Sequence, residues 1–564
     1  MLHAVWLDAS MAGYFTLFLC LMLLGRLNAP NVFSKIFRWF HYVVLGICSL
    51  AIISNAVLYS YWSGPLDYNA LKYLETPAEA AASINWWLMI LPIGVGFALF
   101  FAFRYLFIRL HLTPFYQSRS SSILEFATLL LFAGICIIPI RGGIGMVPVN
   151  LSFVYFHKDI YPNHAAYNPV WNVLYSWAES SKENDYTFMD TQLANEKFAE
   201  LYKIPQTGES EKWITQAQPN VIVIVLESFL SKLVGLNYKG EEVTPHLNRL
   251  TKQGIYFSNL YASGDRSDKG LGSIFSGFPA MPKSALVQYP DKMAKVPSIF
   301  KDMAKADYTT SFYYGGSLDF ANLRSYFISA QVQNIVTGED VPKTRSRGKW
   351  GVHDKPMFDK FYNDLMTMKE PFFANLFTLS NHEPFDLPEE NHFGKANGDE
   401  EYMSASWYTD KYLGQFMEAL RRLKLWENTL VVIVSDHGTA RLGIKEVYDP
   451  EKYHIPMVWT GGVIKTPKMF DKVCSQTDIP LLILNQCCIK PTQVYTYSNE
   501  IDRAGSKPFA AYLFNDGVGF VGPDCISIYE NVSGKFKNGE QCPGNLNGEF
   551  GKAYLQVLSK DFTK

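Results

Sequence analysis

The sequence predicts an N-terminal bundle of transmembrane α-helices followed by an α/β domain, whose central, mainly parallel sheet carries helices on both faces. Up to about Ile140 the 564-residue chain consists mainly of apolar runs with few charges, whereas from about Ser180 onward charged residues are spread as on a soluble surface. In this second half, apolar β-branched runs alternate with segments of helical periodicity. That alternation is typical of crossover connections in a parallel sheet.

Four apolar stretches are long enough to cross roughly 30 Å of hydrocarbon. They are about Ala4–Gly25, His41–Trp62, Trp86–Ile108 and Ile123–Ile140. A charge at the middle of a bilayer costs about 2.5–3.5 kcal/mol, so stretches this poor in charge indicate membrane spans rather than a buried helical core. A removable signal peptide is not expected, because the first stretch lacks a basic leader and others follow it.

The charges between the spans predict their orientation, since Lys and Arg concentrate on the cytoplasmic side of a membrane. The segments after the first and third spans are basic, with Arg26, Lys35, Arg38, Arg104, Arg109 and Arg119. The segment between the second and third spans is acidic, with Asp67, Glu75 and Glu79 against Lys72. The chain after Ile140 is therefore expected on the outer side of a bacterial cytoplasmic membrane.

The predicted organisation has four parts. Residues 1–140 are the transmembrane domain, 141–218 a juxtamembrane connector rich in aromatic residues, 219–510 the α/β domain, and 511–564 a C-terminal extension packed on it. Cys525 and Cys542 flank a turn-rich segment and are candidates for a disulfide in an oxidising compartment. A net charge of -2 gives no basic excess, which argues against a nucleic-acid partner.

Three runs are expected to be buried strands: Val221–Leu226, Phe372–Phe377 and Leu430–Val434. Helix-like segments, such as Pro245–Gln253 and Ser406–Leu423, lie between them. In sheets of this kind the site forms beyond the carboxyl ends of the strands.

Polar clusters stand at two of these strand ends. Glu227-Ser228 follows the first strand, and Ser435-Asp436-His437-Gly438 follows the third. Carboxylates and an imidazole are suitable ligands for a divalent metal ion. Each cluster alone also fits a cap or a turn, so the prediction of a metal site depends on their joint occurrence.

The segment Gly264–Leu271 is predicted to be a loop entering a helix, with Ser267 near the helix N-terminus. Free N–H groups and the helix dipole favour an anion there. Arg266 and Lys269 can offset the charge of a phosphate, and a divalent ion would lower the pKa of the hydroxyl. On its own, however, this stretch favours a plain serine N-cap with solvated charges.

Several short motifs together resemble the lipoteichoic acid synthase family of phosphoglycerol transferases, within the alkaline phosphatase and sulfatase superfamily. The motifs are Val225–Ser228, Thr244–Leu250, Arg266–Asp268, Tyr314–Gly316, Leu379–Phe385, Ser435–Gly438 and His454–Pro456. Their order, together with the apolar N-terminal part, extends the resemblance over nearly the whole chain. The resemblance implies membrane spans, a connector and an external sulfatase-like domain.

The resemblance also implies a set of site residues. The implied ligands of one divalent ion, Mn²⁺ or Zn²⁺, are Glu227, Ser267, Asp436 and His437. Ser267 would be the nucleophile, and His382 would contact the substrate or assist proton transfer. The implied substrate-binding residues are Arg266, Lys269, His382 and Arg324.

The implied reaction moves a phospho-headgroup from a membrane phospholipid to a hydroxyl of a cell-envelope glycan or glycolipid, through a covalent phospho-Ser267 intermediate. Two departures affect this expectation. Family members usually carry threonine in place of Ser267, and the stretch matching their phosphoglycerol-binding motif is altered, with Tyr314, Phe320–Leu323 and a displaced Arg324. Phosphoglycerol is therefore the first expectation and phosphoethanolamine the alternative. Members commonly have five spans, which implies one more span upstream of the first.

Two further alternatives differ in class. A sulfatase-like phosphodiesterase or hydrolase would share the fold, but the residues after Ser267 lack the maturation signal for formylglycine, and a full set of ligands for a second metal is not apparent. A non-catalytic membrane scaffold would be expected to have lost part of the ligand set, which is complete here. A measurement of bound metal would discriminate the scaffold from an enzyme.

Overall fold

The computed structural model describes residues 2–26, 30–62, 65–67, 86–109, 123–157, 159–180, 186–204, 210–342, 346–515, 517–538 and 548–563. The chain divides into two compact units, Met1–Lys182 and Glu183–Lys564. Residues Lys72, Glu75, Glu79 and Arg119, which entered the prediction of orientation, and Cys542 lie outside the described residues.

The first unit is helical. Its helices are α1 (Val5–Arg26), α2 (Pro30–Trp62), α3 (Trp86–Arg109), α4 (Ile123–Ile135), α5 (Ile137–Arg141), α6 (Ile160–His164) and α7 (Pro169–Ser180). Helix α1 contacts α2, α4 and α5, and α2 contacts α3, so the apolar helices form a bundle. Because α2 begins at Pro30, Lys35 and Arg38 lie within a helix and not in a loop.

Three segments of this bundle are long and apolar enough to cross a membrane: Val5–Gly25, Trp39–Tyr59 and Ile123–Arg141. The remaining predicted span coincides with α3, whose apolar stretch Ile90–Leu106 is shorter. Large apolar side chains on these helices are exposed, among them Leu91 and Leu124 at 76% each. Such a surface fits lipid better than water. The number of spans stays a prediction.

The beginning of the predicted connector packs on the ends of these helices. In α7, Trp171 Nε1 donates to Ser10 Oγ at 3.3 Å, and Asn172 Nδ2 donates to the Leu66 carbonyl at 2.8 Å. The Ser10 hydroxyl in turn donates to the Ile140 carbonyl at 2.9 Å. These bonds join α7 to the beginning of α1 and to the residues that follow α2, and α1 to the end of α5.

The second unit is built on a nine-stranded sheet. Its strands are β1 (Asn220–Leu226), β4 (Ile255–Tyr261), β5 (Thr309–Tyr314), β6 (Asn334–Thr337), β7 (Phe372–Phe377), β8 (Thr429–Ser435), β9 (His454–Thr460), β10 (Lys468–Phe470) and β11 (Cys474–Ser475). The order is β10-β4-β9-β8-β1-β7-β5-β6, with β11 also paired to β4. Strand β9 runs antiparallel to β8 and β4, and the other pairs are parallel. The predicted mainly parallel sheet is confirmed.

Helices cover both faces of this sheet, as predicted. They are α8 (Thr191–Leu201), α9 (Pro245–Gln253), α10 (Ser267–Ser276), α11 (Pro290–Met293), α12 (Ile299–Lys305), α13 (Leu323–Ser329), α14 (Asp354–Leu365), α15 (Gly398–Leu420), α16 (Pro450–Tyr453) and α17 (Ile479–Gln486). In β1, Val221, Val223 and Val225 belong to one apolar core, whereas the alternate residues belong to the core on the opposite face. Burial on both faces explains the uninterrupted apolar run.

The C-terminal part adds a second sheet and a helix. Strands β12 (Ala510–Phe514), β13 (Gly517–Val521), β14 (Ile526–Glu530) and β15 (Lys535–Asn538) form an antiparallel sheet, and a short hairpin is made by β2 (Asn237–Tyr238) and β3 (Glu241–Glu242). Helix α18 (Gly548–Thr563) packs on α8, β13 and β14. Cys525 forms a disulfide. Its predicted partner Cys542 is outside the described residues.

Candidate active site

A cavity of about 680 Å³ opens at the carboxyl ends of the central strands. Residues beyond the ends of these strands line it: Glu227 directly after β1, His437 shortly after β8, and His382 in the loop that follows β7. Ser267, at the start of α10, lines the same cavity. The sheet therefore brings together residues that lie far apart in the sequence, at the edge where sites form in such folds.

Glu227 is fixed by the turn that ends β1. Its backbone N–H donates to Thr378 Oγ1 at 2.9 Å, and its carbonyl accepts from Asn381 Nδ2 at 3.0 Å. The next residue, Ser228, has a φ of 59°, in the left-handed region that few non-glycine residues adopt. This turn lets the Ser228 N–H donate to Asp436 Oδ1 at 2.8 Å.

Asp436 and His437 continue from β8, which pairs in parallel with β1. The carboxylate oxygen Asp436 Oδ1 accepts the N–H groups of Ser228 and His437, both at 2.8 Å, while the buried Oδ2 has no hydrogen-bond partner among the described residues. His437 Nδ1 lies 2.7 Å from the Gly438 carbonyl, so Nδ1 carries the donated proton and Nε2 faces the carboxylates. The distances from Nε2 are 3.5 Å to Glu227 Oε1 and 3.4 Å to Asp436 Oδ2.

These three residues fit a divalent metal ion. Ligand atoms of Glu227, Asp436 and His437 lie within 4.8 Å of one another, and all three residues are buried. A buried carboxylate oxygen without a partner, beside an imidazole oriented through its other nitrogen, is an arrangement typical of a metal centre. The set of two carboxylates and one imidazole suits Mn²⁺ or Zn²⁺.

The charges of the cluster are strongly coupled. Burial by itself would lower the pKa of His437, but the carboxylates of Asp436 and Glu227 raise it to about 10. Burial and the neighbouring Glu227 charge raise the pKa of Asp436 to about 7. Burial by itself would raise the pKa of Glu227, but the hydrogen bond and the positive charge of His437 lower it to about 2. A cation bound between these groups would replace the proton that His437 otherwise holds.

Ser267 is the first residue of α10, and Arg266 occupies the N-cap position without a side-chain capping bond. The Ser267 hydroxyl donates to Glu227 Oε2 at 3.2 Å and lies 3.4 Å from His437 Nε2. It therefore faces the acidic cluster and does not cap the helix. Arg266, Ser267 and Asp268, at the N-terminus of α10, line the cavity, and a helix N-terminus favours a bound anion.

Backbone packing holds α10 against the loop of Asp436. A Cβ atom added at Gly270 would lie 2.0 Å from the Asp436 carbonyl oxygen, which leaves space for glycine alone. The same carbonyl accepts from Gln476 Nε2 at 2.7 Å. The positions of Ser267 and Asp436 are thus coupled through the backbone.

His382 and Arg266, two of the predicted substrate-binding residues, line the cavity. His382 Nδ1 lies 2.8 Å from the Glu383 carbonyl, and its ring packs on Trp350 with a centroid distance of 4.6 Å. The Nε2 atom of His382 is thereby left for a ligand. Arg266 is exposed, and among the described residues its guanidinium has no ion-pair partner.

The two other predicted residues, Lys269 and Arg324, do not line the cavity. Lys269 Nζ is buried, 3.2 Å from Asp265 Oδ1 and 3.2 Å from the Pro282 carbonyl. Arg324 Nε lies 2.6 Å from Asp319 Oδ1. Both side chains are therefore engaged with protein groups.

Three residues of the site were missed in the sequence. Asp265 and Lys452 line the cavity and form an ion pair of 3.2 Å. Asp354 accepts the N–H groups of Leu379 and Ser380 at 2.7 and 3.1 Å and so orders the loop that leads to His382. Because Asp265 directly precedes Arg266 and Ser267, its position in the sequence could have indicated a place in the site. Lys452 and Asp354 have no local signature.

The chain is similar to several known proteins. Residues 219–486 match the family model described as Sulfatase. Lipoteichoic acid synthase 1 of Bacillus subtilis is 32% identical over 232 residues, which cover 39% of this chain and 36% of that protein. A lipoteichoic acid synthase of Staphylococcus aureus is 24% identical over 420 residues, which cover 71% of this chain and 63% of that protein. The chain thus spans about half the length of the curated relatives it matches.

Two solved structures share the fold of the second unit. A protein of the alkaline phosphatase superfamily from Vibrio parahaemolyticus matches with a TM-score of 0.58 and 23% identity, over 67% of this chain and 97% of its own. A lipoteichoic acid synthase from Listeria monocytogenes matches with a TM-score of 0.54 and 18% identity, over 66% and 98%. The three long apolar helices, together with the similarity to lipoteichoic acid synthases in sequence, indicate a membrane protein. Residues 219–486 accordingly form a sulfatase-like domain, in a chain that is similar to lipoteichoic acid synthases.

Proposed function

We propose that this protein is a membrane-anchored, metal-dependent transferase that moves phosphoglycerol from a phospholipid to a hydroxyl of a cell-envelope glycan or glycolipid. The observation that carries the proposal is the position of Ser267, whose hydroxyl lies within 3.4 Å of both Glu227 and His437 in one cavity. The similarity to lipoteichoic acid synthases supports the choice of a phospholipid donor.

In the first half-reaction, Ser267 Oγ attacks the phosphorus of the phospholipid and forms a new O–P bond. Its proton is already directed at Glu227 Oε2, which accepts it. The bond between phosphorus and the diacylglycerol oxygen breaks, and diacylglycerol leaves as the alcohol. A divalent ion held by Glu227, Asp436 and His437 would lower the pKa of the serine hydroxyl and offset charge on the phosphate.

His382 is the candidate for the remaining proton transfers. Since its Nδ1 is bound to the Glu383 carbonyl, Nε2 is the atom that protonates the departing diacylglycerol oxygen. In the second half-reaction, the acceptor hydroxyl gives its proton to Nε2 and attacks the phosphorus. The bond from Ser267 Oγ to phosphorus breaks, and the serine regains its proton from Glu227.

The charges around the cavity favour a neutral headgroup over phosphoethanolamine. Three of the carboxylates that line the cavity are already paired with cationic side chains. The pairs are Asp265 with Lys269 and Lys452, Glu383 with Arg441, and Glu227 with His437. A fourth, Asp268, is buried, and burial raises its pKa, which disfavours its charged form. The positive charge of an ammonium headgroup would thus be repelled by the cations that already pair with these carboxylates. Glycerol hydroxyls are uncharged and are not repelled.

We also propose that the sulfatase-like domain is extracytoplasmic. The disulfide of Cys525 supports this location, because disulfides persist in oxidising compartments and are rare in the cytosol. The phospholipid donor would then be drawn from the outer leaflet, and the acceptor from the cell envelope.

The proposal is tested with the full-length protein in vesicles that contain phosphatidylglycerol, phosphatidylethanolamine or phosphatidylcholine, in the presence of Mn²⁺. We expect diacylglycerol release from phosphatidylglycerol alone. Faster release from phosphatidylethanolamine would select the phosphoethanolamine alternative. Turnover of a soluble aryl phosphodiester without any lipid turnover would select a hydrolase, and absence of both bound metal and turnover would select a scaffold.

A further inference from the structure

We propose that Lys452 is a phosphate-binding residue of the cavity, held in place by Asp265, which also pairs with Lys269. The inference rests on the proposed function, because it takes the ligand beside Ser267 to be a phosphoryl group. It assigns to Lys452 the contact with the phosphate that the sequence analysis predicted for Lys269.

Lys452 lies in the short helix α16, directly before β9. The residue is 9% exposed, lines the cavity of Ser267, and places Nζ 3.2 Å from Asp265 Oδ2. The other oxygen of the same carboxylate, Oδ1, lies 3.2 Å from Lys269 Nζ. One carboxylate is therefore shared by two ammonium groups.

This arrangement carries a net positive charge. The Asp265 carboxylate lies 3.2 Å from the ammonium groups of both Lys269 and Lys452 and forms an ion pair with each. One negative and two positive charges leave an excess of one positive charge in a largely buried place. A buried excess charge is costly unless a ligand of opposite sign compensates it.

Lys452, and not Lys269, presents that charge to the cavity. The Lys269 side chain is 5% exposed, its Nζ also donates to the Pro282 carbonyl, and it does not line the cavity. For Lys452 Nζ, Asp265 is the one hydrogen-bond acceptor among the described residues. Because an ammonium group has three N–H donors, Lys452 keeps donors for a ligand.

The backbone fixes Lys452 relative to the acidic cluster. A Cβ atom at Gly438 would lie 2.0 Å from the Lys452 carbonyl oxygen, so α16 packs directly on the loop of Asp436 and His437. The next carbonyl, that of Tyr453, accepts the Ala262 N–H at 2.7 Å, which ties α16 to the segment that leads to Asp265. Both members of the Lys452–Asp265 pair are thus anchored by main-chain contacts.

The binding of inorganic phosphate to the full-length, Mn²⁺-loaded protein in detergent tests this assignment by calorimetry. We expect Lys452→Met to weaken phosphate binding about tenfold or more, because a charge-assisted hydrogen bond is lost. Lys452→Arg, which keeps the charge, should stay within about threefold of the parent. Lys468→Met is the matched control, since Lys468 is ion-paired with Glu211 and does not line this cavity, and it should bind phosphate as the parent does. Unchanged affinity in Lys452→Met, or no phosphate binding by the parent, would contradict the inference.

A second measurement uses the unaltered protein, so it holds even if Lys452→Met does not fold. Phosphate should slow acetylation of Lys452 by an amine-reactive reagent, as read by peptide mass spectrometry, and should leave Lys468 unaffected. Equal rates at Lys452 with and without phosphate would contradict the inference. Neither measurement uses a lipid. If phosphate protects Lys452 but the protein is inactive on every phospholipid, the proposed function alone is overturned. If the protein is an active transferase but phosphate does not protect Lys452, this assignment alone is overturned.

Discussion

The hydroxyl oxygen of Ser267 lies 3.2 Å from Oε2 of Glu227, across 40 residues of sequence. This contact joins the N-terminus of α10 to the carboxyl end of β1. An alcohol at the start of a helix therefore meets a buried carboxylate that could also hold a metal ion. A nucleophile for phosphoryl transfer needs this combination of an anion-binding helix end and an activating group.

Asp436→Asn should remove both the bound metal ion and the activity. The substitution keeps an oxygen for the two N–H groups that Asp436 Oδ1 accepts, but it replaces the buried, unpartnered Oδ2 with an amide nitrogen that cannot ligate. We expect elemental analysis to find little metal in a folded protein. Asp364→Asn, a half-buried residue of α14 that pairs with Lys360 and does not line the cavity, is the control and should keep full metal content. Full occupancy and turnover in Asp436→Asn would show that the cluster is structural.

Gly270→Ala should impair activity and stability, whereas Gly272→Ala should be tolerated. Both glycines lie in α10, where alanine has the higher helix propensity by about 1 kcal/mol. A Cβ atom at Gly270 would be 2.0 Å from the Asp436 carbonyl oxygen, but at Gly272 the nearest atom is Leu286 Cβ at 3.8 Å. Melting temperatures and diacylglycerol release should separate the two variants. Equal behaviour would mean that the packing of α10 on the Asp436 loop does not control the site.

Asp410→Asn should change how stability depends on pH. Asp410 is buried and accepts the N–H groups of His246 and Leu247 at 2.8 and 2.7 Å. Burial raises its pKa to about 7, so between about pH 4 and pH 7 the folded chain keeps a proton that the unfolded chain has lost. The contribution of this group to stability is thus present at low pH and falls as the pH rises to about 7. Relative to Asp410→Asn, the parent should lose roughly 2–3 kcal/mol of unfolding free energy between pH 5 and pH 8. A difference that does not vary with pH would refute this assignment.

The sulfatase-like domain should lie outside the cytoplasmic membrane. Reporter fusions placed after Ile140 test this, with a phosphatase that is active only outside the cytoplasm and a fluorescent protein that matures only inside it. We expect phosphatase activity without fluorescence, because the basic segments Arg26–Arg38 and Arg104–Arg109 are predicted to stay in the cytoplasm. Fluorescence without phosphatase activity would reverse the orientation.

The sheet could be predicted from the sequence because burial on both faces leaves a clear pattern. Phe372–Phe377 has the predicted bounds, and the strand predicted at Leu430–Val434 extends over Thr429–Ser435. The direction of β9 could not be predicted, since an antiparallel strand buried on both faces has the same apolar pattern as a parallel one.

The site was accessible to sequence analysis only where its residues follow strands or share a motif. Glu227, His437 and Ser267 line one cavity, as the strand-end rule predicts, and the buried Asp436 lies beside them. The pair of Lys452 and Asp265 spans 187 residues and depends on how α16 packs, for which no local pattern exists. Arg324 was predicted to bind substrate because it stands near a family motif. Its ion pair with Asp319 could not be inferred from that motif.

The most direct test of the account is the mass of the peptide that contains Ser267, measured after the full-length protein has been incubated with phosphatidylglycerol and Mn²⁺. The account predicts a mass increase equal to one phosphoglycerol group on Ser267. The increase should be absent from Ser267→Ala, which should fold with a melting temperature close to that of the parent and release almost no diacylglycerol. Ser267→Thr should form the adduct at the new hydroxyl. A folded Ser267→Ala protein that released diacylglycerol at the parent's rate, with no adduct on the parent's Ser267 peptide, would contradict the account.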